Sequence, residues 1–539
     1  MRKTICILFV IAFNFSAIAQ NTFQKLYTPS VGGAECFGSY QLSDGGYIFT
    51  GITMETTNKV FVSRTDCEGT VLWSKTYNNS STIGNISQRV IPLKAGGFCL
   101  AASIGQYNAY NILIVKMDNQ GNTVWQKIMA GSGDDVVNSI IETRSGSLVI
   151  VGHTNSFGQD AGSSYTDIYI AKLDANGNYI WGRAVGTHAN IDQAFDVVEA
   201  SDSNYVATGR YIEQGTFYTC LLKMDTLGNV QWLKAYGDTN QHTFGYALIA
   251  CASGGFALVG STTIMKTNYQ SYADNFIIRT DANGDTLWCR TYRGSNPDND
   301  ENASSIIELP NGFAIGVATM SYPGSVNFVP NKQVIIKTDL QGNMTMVKSY
   351  NDGGSHYPYI TMPYNRVGAL LSGFTTNYSS SIFKPLLIRT DNNFNSGCNE
   401  TDLLSQTYME HPPFQVRIPA YVIANGGSLI NSTISANLTW VDSMLCSHIV
   451  DSCSIHQGVE ELSANAHGKV WYDPTSKRIV MEGFDSNVTD VEVYDLVGRM
   501  VYNQKTSAPI SFQKSLVESI YFVVIKSKES IHSFKVLIQ

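Results

Sequence analysis

The chain has 539 residues, more than one ordinary hydrophobic core accommodates, so two or more units are expected. A formal charge of -8 with only 15% charged residues argues against nucleic acid and anionic membrane surfaces as partners. The 29 Tyr and 46 Gly, with many Ser, Thr and Asn, suit β-structure joined by polar turns.

At the N-terminus, Arg2 and Lys3 precede an apolar run over 5–18, and Ala17-Ile18-Ala19 forms a small-residue cleavage site. This reads as a secretory signal peptide over residues 1–19, directing export through the inner membrane to the cell surface or medium. A single-pass anchor is the alternative, but the run is shorter than the roughly 20 residues that span a bilayer. No later stretch is apolar enough, so no transmembrane segment is expected in the mature chain. Cleavage leaves nine of the ten Cys, an odd number at irregular spacings. Cys99 and Cys220 sit inside strand patterns and are expected to be buried. Cys398, Cys446 and Cys453 lie outside the repeats and are the expected pairing set.

One phrase recurs along the chain. "DCEGTVLWSKTY" begins at Asp66, "DNQGNTVWQKIM" at Asp118, "DANGNYIWGRAVG" at Asp174, "DTLGNVQWLKAYG" at Asp225 and "DANGDTLWCRTYRG" at Asp281. Fainter copies begin at Asp339 and Asp391. Spacings of 51 to 58 residues suggest four-stranded propeller blades. In the third copy, residues 136–142, 148–152, 167–174 and 179–186 read as strands A, B, C and D. The Asp can cap the C–D turn, the Gly three residues later can adopt positive φ, and the Trp can fill the space between blades. Trp73, Trp125, Trp181, Trp232 and Trp288 hold this place, with Met346 in the sixth copy.

The seventh copy lacks strand D. "NTFQKLY" (21–27) matches "NTVWQKIM" (122–129) with one residue deleted, and Phe23 takes the Trp place. An N-terminal strand that completes the last blade would close the ring and remove its open edge. The expected fold is all-β: a seven-bladed propeller over 21–395. "SGGFALVG" (253–260) followed by "FIIRTDANGDTLW" (276–288) resembles the propeller repeats of secreted Bacteroidota proteins. Such a resemblance implies architecture and leaves activity open.

Residues 396–457 carry strand-like runs outside the repeat, an ordered β-rich connecting segment or a separate small domain. From 458 the runs "KVWYDP", "RIVMEG", "VEVYDLVGRMVY", "SIYFVVIKS" and "FKVLIQ" suggest a small β-sandwich of immunoglobulin-like kind. Residues 491–502, 515–525 and the terminal "FKVLIQ" resemble the type A C-terminal sorting domain of the type IX secretion system. That resemblance implies an outer-membrane translocon as partner, followed by cleavage with surface attachment or release. "YDPTS" and Ser519-Ile520 depart from the family's Pro-Asn-Pro and Gly. An ordinary β-sandwich binding domain is the alternative.

No G-x-S-x-G, H-E-x-x-H, C-x-x-C or P-loop is present, and no catalytic residue is assigned. The Asp-Gly-Trp phrase differs by a residue from a sialidase Asp-box and a quinoprotein repeat, and lacks the closing Glu of an EF-hand. Its recurrence in every blade favours a structural role. Basic residues two before the Asp (Arg64, Lys116, Lys172, Lys223, Arg279, Lys337, Arg389) and two after the Trp place (Lys25, Lys75, Lys127, Arg183, Lys234, Arg290, Lys348) belong to the same formula.

The A–B and C–D turns are short and uniform, whereas the B–C and D–A loops differ in every blade. Tyr107, Tyr110, Tyr165, Tyr272 and Tyr322 lie in B–C loops rich in Ser, Asn and Gly, a composition suited to binding. Glu35, Asn85, Asp135, Asp192, Thr243, Glu301 and His356 precede the strand A cores. They form either a polar funnel or caps for the D–A loops. Asp298, Asp300 and Glu301 in "NPDNDEN" are a weak calcium candidate, and no other cofactor is expected. The sequence reads as a binding or adhesion module for a glycan or surface protein. A carbohydrate-active hydrolase or lyase using Asp135 and Asp192, and a structural surface protein, are the alternatives.

Overall fold

The computed structural model describes residues 22–30, 32–55, 57–77, 86–106, 108–158, 161–265, 271–294, 299–321, 332–350, 359–361, 368–376, 382–410, 412, 414–426, 429–431, 436–437 and 440–448. In a second unit it describes 469–473, 478–482, 488–494, 500–504, 510–511, 519–527 and 531–538. The expected leader, Asn85, Tyr107, Asp298, Tyr322, His356 and Cys453 lie outside the described residues, as do the side chains of Tyr272, Asp300 and Cys446.

Seven antiparallel sheets, each from one repeat, make a seven-bladed β-propeller. Blade 3 is representative: strand A is Asp135–Glu142, B Leu148–Thr154, C Asp167–Leu173 and D Tyr179–Gly186. Blade 7 takes strands A to C from Tyr359–Thr361, Leu370–Thr376 and Phe383–Arg389. Its strand D is the N-terminal Thr22–Pro29, in register with Phe383–Arg389 from Phe23 to Leu26. The ring is therefore closed by pairing the two ends of the repeat array. The core lies between blades: Val149, Val151 and Ile170 of blade 3, for instance, pack with Tyr205, Ala207 and Leu222 of blade 4.

The recurring phrase is a blade-to-blade lock. In all seven copies the Asp Oδ1 accepts the backbone N–H groups two and four residues on, at 2.7–2.9 Å. At Asp118 and Asp174 the side-chain amides of Asn122 and Asn178, with these N–H groups, hold the carboxyl below its usual pKa. The turn glycine sits at φ near +80° and lies flat against the Trp of the preceding blade: Gly121 on Trp73, Gly177 on Trp125, Gly228 on Trp181. In blade 7 Phe394, at φ +58°, replaces that glycine. Four residues after the Trp place, Tyr27, Tyr236, Tyr292 and Tyr350 donate their hydroxyls to the next blade's turn carbonyls at 2.6–2.7 Å.

A substitution separates the two demands on the glycine. At Gly121 a Cβ would meet the Trp73 ring at 2.9 Å, whereas Gly146, at φ +81°, has nothing within 4 Å. Gly146→Ala should cost only the left-handed backbone, about 1–2 kcal/mol. Gly121→Ala should cost roughly 2–4 kcal/mol, because overpacking is added. Denaturant unfolding of the two variants checks the difference.

The basic residues of the formula are used internally. Lys234 bonds Asp285 and Lys223 bonds Asp202, both at 2.6 Å. Arg183 and Arg290 stack over Trp181 and Trp288, and buried Arg389 donates to the Ala369 and Thr390 carbonyls.

Among the described residues, the segment after the last repeat pairs with the blades rather than with itself. It runs back around the rim and adds a fifth, outermost antiparallel strand to each blade in turn. Glu400–Asp402 joins blade 6, Thr407–Glu410 blade 5, Gln415–Arg417 blade 4 and Val422–Asn425 blade 3. Leu429–Asn431 joins blade 2, Ala436–Asn437 blade 1, and Trp440–His448 closes the circuit against Thr22–Pro29 of blade 7. The N-terminal strand is thus held on both edges. Side chains fasten this belt: Arg293 pairs with Glu410 at 2.7 Å and Arg417 with Glu213 at 3.2 Å, while Tyr169 and Tyr179 donate to the Gly426 carbonyl.

Cys99 and Cys220 are buried free thiols, as are Cys36, Cys251 and Cys289, whereas Cys67 and Cys398 are disulfide-bonded. The second unit, Ser452–Gln539, contains two antiparallel sheets. One has Lys469–Asp473, Arg478–Glu482 and Ile510–Ser511; the other has Met500–Gln504, Val488–Tyr494, Ser519–Ser527 and Ile531–Ile538 in that order. No helix among the described residues is long and apolar enough to cross a membrane.

Candidate functional site at the propeller axis

The inner strands of blades 1 to 6 share a device that period-two reading does not show. Each carries a β-bulge at the same level, where the extra residue is Phe37, Gln88, Asn138, Phe195, Tyr246 or Ser304. A bulge bends the strand and re-aims its side chains. The next residue in each blade forms a ring around the axis: Gly38, Arg89, Ser139, Asp196, Ala247 and Ser305, with Tyr359 at this level in blade 7.

Two members of that ring carry opposite charge and meet across it. Arg89 Nη1 lies 2.6 Å from Asp196 Oδ1 and 2.7 Å from Ser139 Oγ, and its guanidinium stands 5.1 Å from the centre of the Tyr359 ring. Ser139 Oγ also donates to Asp196 Oδ1 at 2.8 Å, and the Leu248 N–H of blade 5 donates to Oδ2 at 3.0 Å. Burial works against the Arg89 charge, and Asp196 more than restores it. Blades 2, 3, 4, 5 and 7 are tied together by this buried brace, which closes the axis at its level.

Toward the loop-rich face, the expected acidic ring turns inward. Asp135 accepts Thr154 Oγ1 at 2.5 Å and Ser156 Oγ at 2.9 Å, and burial raises its pKa to about 6. Fully buried Asp192 accepts the Thr187 N–H and hydroxyl at 2.8 and 2.9 Å and the Ile212 N–H at 2.9 Å. Thr243 bridges the Tyr236 carbonyl and the Thr219 N–H. Glu301 accepts the Gly294 N–H at 2.8 Å and the Asn275 amide at 3.2 Å. These groups cap the loops between strands D and A. Asp135 and Asp192 each accept from donors of their own loops and strands rather than sharing a proton with each other. Glu35 does not belong to this set. It pairs with Ile52 at the level of Val136 and Gln193, while Ala34 occupies the Asp135 level. A one-residue slip in a strand moves a side chain to the opposite face. Among the described residues no group of three His, Cys, Asp or Glu is placed to hold a metal ion.

Burial pushes Glu301 up to about 8. Between its ordinary value of 4.5 and about 8 the folded chain holds a proton that the unfolded chain releases. This side chain therefore makes stability fall as pH rises through that window. Glu301→Gln should remove its share of the slope, up to about 1.4 kcal/mol per pH unit. Melting temperatures of the two proteins should converge at low pH and separate toward pH 9 in favour of the variant.

Aromatic rings gather on the loop side of the brace in two groups. Phe195 and Tyr246 rings lie 5.4 Å apart, Tyr246 stacks on Phe244 at 6.3 Å, and Phe244 meets Phe217 at 5.1 Å. All four are half-buried. Across the ring, Phe37 meets Phe374 at 6.2 Å, and Phe374 meets Phe383 at 5.3 Å. Half-buried Arg210 stands 5.3 Å over Phe217. His153 lies near enough for the Arg210 charge, after burial, to help hold its pKa near 3, so the imidazole is neutral.

Tyr165 is exposed in its loop, whereas Tyr110, expected in a loop, belongs to the strand Ala109–Met117, paired with Gly105, half-buried and with its N–H bonded to Asp134 at 2.9 Å. The 153–167 loop is fastened: Asn155 exchanges backbone and side-chain bonds with Asp134 and binds the Ser163 carbonyl. The stretch around 261–274, expected as a loop, is a β-hairpin arm in which Met265 pairs with Ser271. Sequence reasoning missed Arg89, Asp196, Arg210 and the aromatic run. The available signal was two opposite charges at one aligned position of the inner strands, where the other bulged blades place Gly, Ser or Ala.

No protein-family model matches the chain, and no curated protein matches it.

Proposed function

We propose that the chain is an exported binding or adhesion module whose loop-rich face, at the mouth of the axis, holds a glycan or a surface protein. The carrying observation is the run of half-buried aromatic rings, Phe195, Tyr246, Phe244 and Phe217, above an axis closed by the Arg89–Asp196 brace. Partly exposed rings supply flat, rigid contact area at low entropic cost. The closed axis makes this a cup rather than a conduit. Commitment of Asp135, Asp192 and Glu301 to loop capping leaves the hydrolase reading without its acids.

Export is supported by the leader-like residues 1–19 and by the disulfide-bonded Cys67 and Cys398, which suit an oxidising compartment. Delivery by a type IX translocon is supported by the strand-rich second unit, with Val491, Val493 and Val523 buried, and by its sorting-domain-like residues. A glycan array probed with the mature chain, alongside a Tyr246→Ser/Phe244→Ser variant, tests the binding reading. Selective binding lost in a still-folded variant is expected. Equal array profiles for the two proteins would overturn it.

A further inference from the structure

The mouth between blades 4 and 5 contains a cation with no hydrogen-bonding partner among the described residues. The Arg210 guanidinium makes no hydrogen bond or ion pair with any described residue, and its Nε is buried without a partner. Burial lowers its pKa, so the site already bears a desolvation cost. The nearest acid, Asp192, stabilises the charge from a distance but spends its own oxygens on Thr187 and Ile212. His153 Nδ1, at the same register level in blade 3, is also buried without a partner. Other Arg side chains near the rim, such as Arg293 and Arg417, have carboxylate partners. A half-buried guanidinium left open beside aromatic rings matches an incoming anion, because the planar fork pairs with a carboxylate through two parallel bonds.

We propose that Arg210 is the specificity-determining residue of this mouth and that it receives the carboxylate of an acidic sugar at the end of a glycan. This rests on the binding reading above. Phe217 fixes the guanidinium plane from one side. Phe244 and Tyr246 offer faces for the C–H surface of a pyranose ring. The amide oxygen of Gln193, which is paired in register with Arg210 and donates its N–H to Thr166 Oγ1 at 3.5 Å, is offered to a ligand hydroxyl group. The Arg89–Asp196 brace lies two register pairs below, so the ligand enters end-on and a terminal residue is read. An acidic peptide would satisfy the cation but would not use the ring faces in the same way.

The test is calorimetry on the mature chain with glucuronate- and galacturonate-terminated oligosaccharides, their carboxyl-reduced counterparts, and a Glu-rich peptide. Arg210→Gln and Phe217→Leu are compared with wild type, each first shown to melt cooperatively. The expected result is binding of a uronate-terminated probe at least about tenfold tighter than its carboxyl-reduced counterpart, a preference abolished by Arg210→Gln. Phe217→Leu should weaken both probes and keep the preference. Neutral glycans bound with an affinity that Arg210→Gln leaves unchanged would overturn the acidic-sugar assignment while leaving the binding module intact. Peptide binding that depends on Arg210, without uronate binding, would overturn the sugar class. Failure of every probe, neutral glycans included, would overturn the acidic-sugar assignment and the glycan form of the binding reading.

Discussion

A chain lacking residues 22–29 should lose the propeller as a cooperative unit. That strand is hydrogen-bonded on one edge to Phe383–Arg389 and on the other to Trp440–His448. It buries Phe23, Leu26 and Tyr27, each at most 8% exposed, and Tyr27 bonds the Gly69 turn of blade 1. Burial of three such side chains is worth about 5–8 kcal/mol, and two open strand edges add to the loss. Total stability of a folded unit is only about 5–15 kcal/mol, so the deletion consumes most of it. Circular dichroism and limited proteolysis should show an early, broad transition. A truncated chain that melted as sharply and as high as the intact one would show that the belt alone closes the ring.

Arg89→Met should destabilise the propeller by about 3–5 kcal/mol, among the largest single-residue effects expected in this chain. The variant keeps much of the side-chain volume but leaves the Asp196 carboxylate buried with three neutral donors and no cation. Repeating the measurement in Arg89→Met/Asp196→Asn decides whether charge or packing matters. Removing the orphaned charge should recover most of the loss, since the amide oxygen still accepts the Leu248 N–H while its NH2 donates to Ser139 Oγ. If the double variant is as unstable as the single, the brace acts through shape rather than ion pairing. Denaturant midpoints of the four proteins in the cycle supply the answer.

The architecture was legible where local chemistry repeats. Asp at the turn, Gly at positive φ and Trp against the next blade recur because every blade solves the same packing problem. Even the missing seventh strand D could be found at the other end of the chain, through Phe23, Lys25 and Tyr27. The belt was not legible. Its strands are two to nine residues long and pair with seven different blades, so no alternation or internal hairpin reveals their partners. The funnel ring was half legible. Asp135, Asp192, Thr243 and Glu301 were found by position, but Glu35 was misplaced by one residue, because the phase of a strand is fixed by pairing, not by spacing. Arg89 and Asp196 escaped because their meeting needs closure of the ring, a long-range fact. Arg210 escaped because its significance is the absence of a partner.

Hydrogen exchange of the mature chain with and without a bound ligand from the array tests the location of the binding face most directly. The account predicts slowed exchange in residues 193–196, 210–217 and 241–246, around the aromatic mouth, with the short-turn face unchanged. Protection confined instead to the C–D turns, around exposed Leu72, Val124, Ile180 and Leu287, would place the binding surface on the opposite face and contradict it.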